Sequence, residues 1–126
     1  MEDKFRVLMI DDERDIVNFL AKTFANFPNI EFLSALRAVQ GLEIAEAVKP
    51  QVIMLDLRMP GMNGEEALVE LKKILPECKF IIMTGWDDGA TQERIEKMGV
   101  AGYFSKPVDL EKLVTTVINL VMVKNL

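Results

Sequence analysis

The chain has 126 residues, 15 basic against 20 acidic, a net charge of −5 and half of its residues apolar. That is enough for one domain that buries roughly two-thirds of its unfolded surface, and too apolar for disorder. The acidic balance, with Lys72-Lys73 the one adjacent basic pair, argues against a nucleic-acid surface; the lack of histidine excludes Ser-His triads, His-ligated metal, His general bases and a phosphohistidine on the chain itself.

Phe5 to Ile10 is a short apolar run that ends at Asp11-Asp12-Glu13, and it reads as a first strand. A helix is expected from Asp15 to Phe27, with Ile16, Leu20, Phe24 and Phe27 at helical spacing and Pro28-Asn29 as its stop. Ile30 to Ala35 is a second strand. Ala38 to Val48 is helical, with Leu42, Ala45 and Val48 on one face, and it stops before Pro50. Val52 to Leu55 is a third strand and runs straight into Asp56.

Asn63 suits a helix N-cap, and Glu66 three residues later gives a capping-box pattern. That helix runs to about Leu75, with Leu68, Leu71, Ile74 and Leu75 inward and Pro76 closing it. Phe80 to Met83 is a fourth strand that ends at Thr84, and Gly85 to Gly89 is a loop. A weaker helix covers Ala90 to Met98, anchored by Ile95 and Met98, with Gly99 as its C-cap. Ala101 to Phe104 is a fifth strand, ending at Ser105-Lys106-Pro107. Asp109 caps a last helix from Leu110 to about Val123, whose final turn is apolar nearly all round, so part of it should be exposed.

Strands alternating with helices argue for a parallel sheet covered on both faces, and the whole of residues 1–126 reads as one domain. Cys78 is alone, so no internal disulfide forms; it reads as a small buried hydrophobe in a chain suited to a reducing cytosol. Met1-Glu2-Asp3 lacks the basic start of a signal peptide, and no apolar run approaches the ~18 residues of a membrane span, so a cytoplasmic place is expected.

Polar groups fall where the apolar strands end: Asp11-Asp12, Asp56, Thr84 and Lys106. Open parallel sheets bind ligands beyond the carboxyl ends of their strands, where strand order reverses. For the order 2-1-3-4-5 that point lies between strands one and three, the two that end in aspartates. Two carboxylates about 4 Å apart repel by about 4 kcal/mol at an effective dielectric of about 20. Lys106 offsets part of this. A hard divalent cation would offset the rest, and an all-oxygen donor set points to magnesium. An aspartate beside such an ion can act as a nucleophile and carry a phosphoryl group, paired with Lys106 and hydrogen-bonded by the Thr84 hydroxyl. Taken singly, Asp11 or Asp12 would serve as a helix cap, Asp56 as a turn former, Thr84 as an ordinary strand end and Lys106 as a surface lysine. Their joint occurrence favours the functional reading.

The sequence resembles the receiver domain of two-component response regulators over nearly its whole length. The residues that carry the resemblance are Asp11-Asp12, Leu55-Asp56-Leu57-Arg58-Met59-Pro60-Gly61-Met62-Asn63-Gly64, Thr84-Gly85 and Tyr103-Phe104-Ser105-Lys106-Pro107. It implies a doubly wound (βα)5 fold of the CheY-like, flavodoxin-like class. It also implies Asp56 as phosphoacceptor, and Asp12, Asp56 and the Arg58 carbonyl as direct magnesium ligands, with Asp11 acting through water. Thr84, Lys106 and the backbone of Arg58 and Gly85 would hold the phosphoryl group. Thr84 and Tyr103 would form a switch pair in which the hydroxyl moves toward the phosphate and the ring turns inward. Pro107 would follow a cis bond. The phosphoryl donor would be a phosphohistidine on a sensor kinase or phosphotransfer protein. The fourth helix, fifth strand and fifth helix would form the output surface, docking a partner or a second copy. Arg58 and Trp86 occupy variable positions that tune phosphoryl lifetime, and a stacked pair of them would obstruct the hydrolytic water.

Three other readings compete. A phosphohydrolase with an aspartate nucleophile would carry a second Asp where Arg58 stands. A flavin or nucleotide binder would need a Gly- or Ser/Thr-rich loop after the first strand, where Asp11-Asp12-Glu13 has the wrong charge. A pseudo-receiver, a pure interaction module, usually lacks part of the acidic site, and here every part is present.

Overall fold

The computed structural model describes residues 4–85 and 88–124. The chain alternates β1 (Phe5–Ile10), α1 (Arg14–Phe24), β2 (Ile30–Ala35), α2 (Ala38–Val48), β3 (Val52–Asp56), α3 (Gly64–Ile74), β4 (Lys79–Thr84), α4 (Gly89–Lys97), β5 (Gly102–Ser105) and α5 (Leu110–Lys124). The strands form one five-stranded sheet in the order β2-β1-β3-β4-β5, and every neighbouring pair is parallel. This is the expected flavodoxin-like, CheY-like architecture.

The inner strands are continuous apolar runs because helices cover both of their faces, and alternate residues turn to opposite sides. Val7, Met9, Val52, Met54, Ile81 and Met83 pack on the side of α1 and α5, where Leu20, Phe24, Leu113 and Val117 meet them. Leu8, Ile10, Ile53, Leu55, Phe80 and Ile82 pack on the opposite side, with Ala45, Leu68, Leu71 and Ile95 from α2, α3 and α4. Gly41 lets α2 lie close to β1, since a Cβ there would stand 2.5 Å from the Ile10 side chain. Cys78 is half-buried at the edge of this second cluster, less enclosed than the sequence suggests.

The element boundaries depart from expectation in few places, each with a local cause. The first helix ends at Phe24 rather than Phe27. Its last turn tightens there, with the amides of Asn26 and Phe27 donating to the carbonyls of Thr23 and Phe24, three residues back, at 3.2 and 3.0 Å. Phe27 still packs against the α1 side of the core. The end of α2 is a left-handed cap at Lys49 (φ 54°), whose amide reaches the Ala45 carbonyl at 2.9 Å before Pro50. Gly99, with φ 81°, follows α4 as expected. Asp109 caps α5 by accepting the Lys112 amide at 3.1 Å. Along α5, Leu113, Val117 and Val121 are buried at helical spacing while Met122 is exposed, in keeping with an incompletely covered last turn.

Candidate phosphoacceptor site

The site forms where the strands end. The ladder between β1 and β2 extends one residue past Ile10, with the Asp11 amide donating to the Ala35 carbonyl at 3.1 Å. Asp56 is the last residue of β3, and the following amide, that of Leu57, donates to the Met83 carbonyl at 2.9 Å. Asp11 and Asp56 are therefore fixed by sheet hydrogen bonds, and both are buried. Strand alternation carries Asp11, two past Met9, and Asp56, two past Met54, toward the α1 and α5 side.

Each aspartate is oriented by a local turn. Asp11 Oδ1 accepts the Glu13 amide at 2.9 Å, and Asp56 Oδ1 accepts the Arg58 amide at 2.9 Å. These are the same i to i+2 device, in which an Asx side chain satisfies the backbone of the turn that leaves the strand. Both aspartates thus keep Oδ2 aimed at Lys106, whose Nζ donates to Asp11 Oδ2 at 3.0 Å and to Asp56 Oδ2 at 2.9 Å. Lys106 reaches this point because its amide continues the β4–β5 ladder, donating to the Thr84 carbonyl at 2.8 Å. The Lys106–Pro107 peptide bond is cis.

Burial alone would lower the affinity of Lys106 for its proton, but hydrogen bonds to Glu13, Asp56 and Asp11 outweigh it and raise the pKa well above 10.5. Burial pushes the Asp11 carboxyl up from its ordinary 3.8, and the nearby charge of Asp56 adds to this; the Glu13 amide and Lys106 oppose it. One ammonium thus pairs with the carboxylates of Asp11, Glu13 and Asp56, and Asp12 stands beside the two buried aspartates. Asp11, Asp12 and Asp56 each offer a carboxylate oxygen, all within 4.8 Å of one another. Asp12 is exposed, so the cluster opens to solvent on its side. A compact, oxygen-only, electron-rich cluster of this kind fits a hard divalent cation.

The loop after β3 shapes the other wall. Gly61 has φ 74°, and Gly64 begins α3 so close to the backbone of Leu57 that a Cβ would stand 2.5 Å from its carbonyl oxygen. Asn63 caps α3 by accepting the Glu66 amide at 3.2 Å. A cleft beside Asp56 is lined by Leu57, Arg58, Gly64, Glu65, Thr84 and Thr91. At its rim Arg94 makes a two-pronged ion pair with Glu65, at 3.1 and 2.8 Å, whose donated hydrogen bonds hold the Glu65 carboxyl below its usual range.

Each residue singled out in the sequence can now be placed. Asp11, Asp12, Asp56 and Lys106 come together. Thr84 is buried at the end of β4 and lines the cleft, with exposed Gly85 directly after it. Tyr103 pairs with Ile82 in the β4–β5 register, its hydroxyl is buried, and its ring packs on the side of α3 and α4. Thr84, two past Ile82, falls on that same side by strand alternation, so the two expected switch residues share a face. Arg58 points its amide at Asp56 and leaves its side chain exposed. Trp86 lies outside the described residues, and so does its stacking on Arg58. Glu13 is an addition: its carboxylate pairs with Lys106 at a sequence separation of 93. Nothing in the pattern of the chain marks it beyond its place after Asp11-Asp12.

A sheet of this order, with acidic ends on β1 and β3 and a lysine from beyond β5 between them, defines a receiver-type signalling domain. The sequence profile described as "Response regulator receiver domain" matches residues 7–118. The chain belongs to the response regulator receiver domain family of two-component systems. It is similar to sporulation initiation phosphotransferase F of Bacillus subtilis (strain 168), 29% identical over 108 residues that cover 86% of each chain. It is 26% identical over 113 residues to response regulator GacA of Pseudomonas aeruginosa, covering 89% of this chain and 53% of that one. Among solved structures, the signal receiver domain of a DNA-binding response regulator from Colwellia psychrerythraea 34H matches with a TM-score of 0.85 and 30% identity, over 94% of this chain and 99% of that one. A response regulator receiver domain protein from Clostridium thermocellum matches with a TM-score of 0.81 and 31% identity, over 96% of this chain and 97% of that one.

Proposed function

We propose that this chain, as one receiver domain over residues 1–126, is a switch thrown by phosphorylation of Asp56 in a two-component phosphorelay. The observation that carries the reading is the Lys106 ammonium held between Asp11 Oδ2 and Asp56 Oδ2 at 3.0 and 2.9 Å, at the switch point of the sheet. A sensor histidine kinase or a His-phosphotransfer protein presents the phosphoryl group on an imidazole nitrogen. An oxygen of Asp56 attacks phosphorus in line, the phosphorus–nitrogen bond breaks, and its electron pair leaves with the imidazole. The product is an acyl phosphate on Asp56. Lys106 and the Thr84 hydroxyl donate to its oxygens, helped by the backbone of Arg58 and Gly85. Asp11, Asp12, Asp56 and the Arg58 carbonyl would hold magnesium, which supplies charge neutralisation for the transferring group.

The domain serves as a phosphoacceptor that assists its own phosphorylation and dephosphorylation, rather than an enzyme acting on outside substrates. Arg58 occupies the place where an aspartate phosphohydrolase would carry its acid, which disfavours that alternative. The complete acidic site disfavours a phosphorylation-independent module. Movement of Thr84 and Tyr103 would alter the surface of α4, β5 and α5, where exposed Met122 favours a protein partner or a homodimer. The acidic charge favours protein over nucleic-acid partners, and no helix among the described residues is long and apolar enough to cross a membrane. We assign the domain to the cytoplasm, with its donor kinase. Incubation with acetyl phosphate and magnesium, followed by intact mass, tests the reading. One added phosphoryl group in the natural protein and none in Asp56→Asn is expected. No addition, or addition that persists in the variant, would overturn it.

A further inference from the structure

The ammonium of Lys106 has three N–H donors, and all three are used: on Asp11, on Asp56 and on Glu13. A phosphoryl group arriving on Asp56 needs at least one of them, so a partner must be given up. The three partners differ sharply in what release costs. The side chain of Asp11 is 0% exposed and that of Asp56 3%, while that of Glu13 is 51% exposed. A buried carboxylate stripped of its cation is left in a poor dielectric, whereas an exposed one rehydrates. Asp56 stays a carboxylate until the new bond forms, so up to that point Glu13, which rehydrates, is the partner whose release costs least. Its backbone is spoken for separately: its amide donates to Asp11 Oδ1, and it precedes α1 without a side-chain cap bond. Among the described residues, the partner of the carboxylate is Lys106.

We propose that Glu13 is a positioning residue that occupies the third donor of Lys106 in the unphosphorylated protein and cedes it to the phosphoryl group. The inference rests on Asp56 as phosphoacceptor and deepens it, because it makes the residue after the aspartate pair a brake on phosphorylation. With acetyl phosphate as donor, the phosphorus–oxygen bond to acetate breaks, acetate leaves with the electron pair, and the new bond forms to Asp56. Breaking the Glu13–Lys106 pair is part of reaching that product.

The test is the initial rate of phosphorylation by acetyl phosphate at saturating magnesium, followed by intact mass, for the natural protein, Glu13→Gln and Glu13→Asp. Gln removes the charge. Asp keeps the charge but is one methylene too short for the contact. Both variants should be faster by about two- to fivefold, the range that one exposed ion pair supports. A merely structural role would slow the reaction instead. Equal rates in all three proteins would overturn the proposal. A faster Gln variant beside an Asp variant at the natural rate would overturn it too, since charge at a distance, and not the contact, would then be the cause. Failure of the natural protein to take up phosphoryl at all would sink the phosphoacceptor reading itself, which separates the two failures.

Discussion

Replacing Lys106 with methionine removes the ammonium that pairs with Asp11, Glu13 and Asp56 and keeps an unbranched side chain of similar length. The two buried contacts, at 3.0 and 2.9 Å, each correspond to a gross attraction of about 5–6 kcal/mol at an effective dielectric of about 20. Desolvation of the three ions opposes most of that. Removing one partner of a buried pair nonetheless leaves the others uncompensated, which costs about 3–5 kcal/mol. We expect Lys106→Met to lower the unfolding free energy of the metal-free protein by that amount at neutral pH, measured by urea denaturation. The loss should shrink in acid, as the stranded Asp11 carboxylate, whose affinity for a proton burial already raises, becomes neutral. It should also shrink in magnesium, because the cluster without its competing ammonium binds a divalent cation more tightly than the natural one, and each tenfold difference in Kd is about 1.4 kcal/mol of stability at saturating ion. A variant as stable as the natural protein at neutral pH without metal would refute the electrostatic account of the site.

Asp11 gives a pH prediction of defined sign. Its folded pKa is raised from 3.8, chiefly by burial, so its contribution to stability is fully present below 3.8 and is lost as pH rises through the folded value. In Asp11→Asn this decline above pH 3.8 should flatten, as read from urea midpoints in chelator. Lys106 acts at the other end: its raised pKa contributes stability that holds below 10.5 and is lost only as pH climbs beyond it, an arm that Lys106→Met should abolish. Gly64→Ala places a Cβ against the Leu57 backbone and should destabilise by about 1–3 kcal/mol while also slowing phosphorylation, because the same loop orients Asp56. Lys49→Gly relieves a left-handed cap, and a gain of about 0.5–1 kcal/mol in thermal or urea unfolding is expected.

The parts of this molecule that were legible in the sequence are those in which burial and polarity change abruptly. Asp11, Asp56, Thr84 and Lys106 each follow an apolar run, and the sheet has no other way to end those runs than by bringing them to one edge. The α1 boundary was not legible, because Phe27 keeps the apolar spacing of a helix while its amide has already shortened its reach to Phe24. The left-handed cap at Lys49 was hidden because nothing local distinguishes that lysine from a helical one. Glu13 was missed for a different reason: an exposed acid beside two others carries no pattern, and its partner lies 93 residues away, beyond β5. Topology alone brings them together.

The measurement that bears most directly on Asp56 is chemical mapping of the modified residue. After incubation with acetyl phosphate and magnesium, borohydride reduces an acyl phosphate to the alcohol, which converts a phosphorylated aspartate to homoserine. Peptide sequencing by mass spectrometry should then find homoserine at position 56 alone, and aspartate at positions 11 and 12. Homoserine at either of those positions, or aspartate unchanged at position 56, would contradict the assignment of the phosphoacceptor.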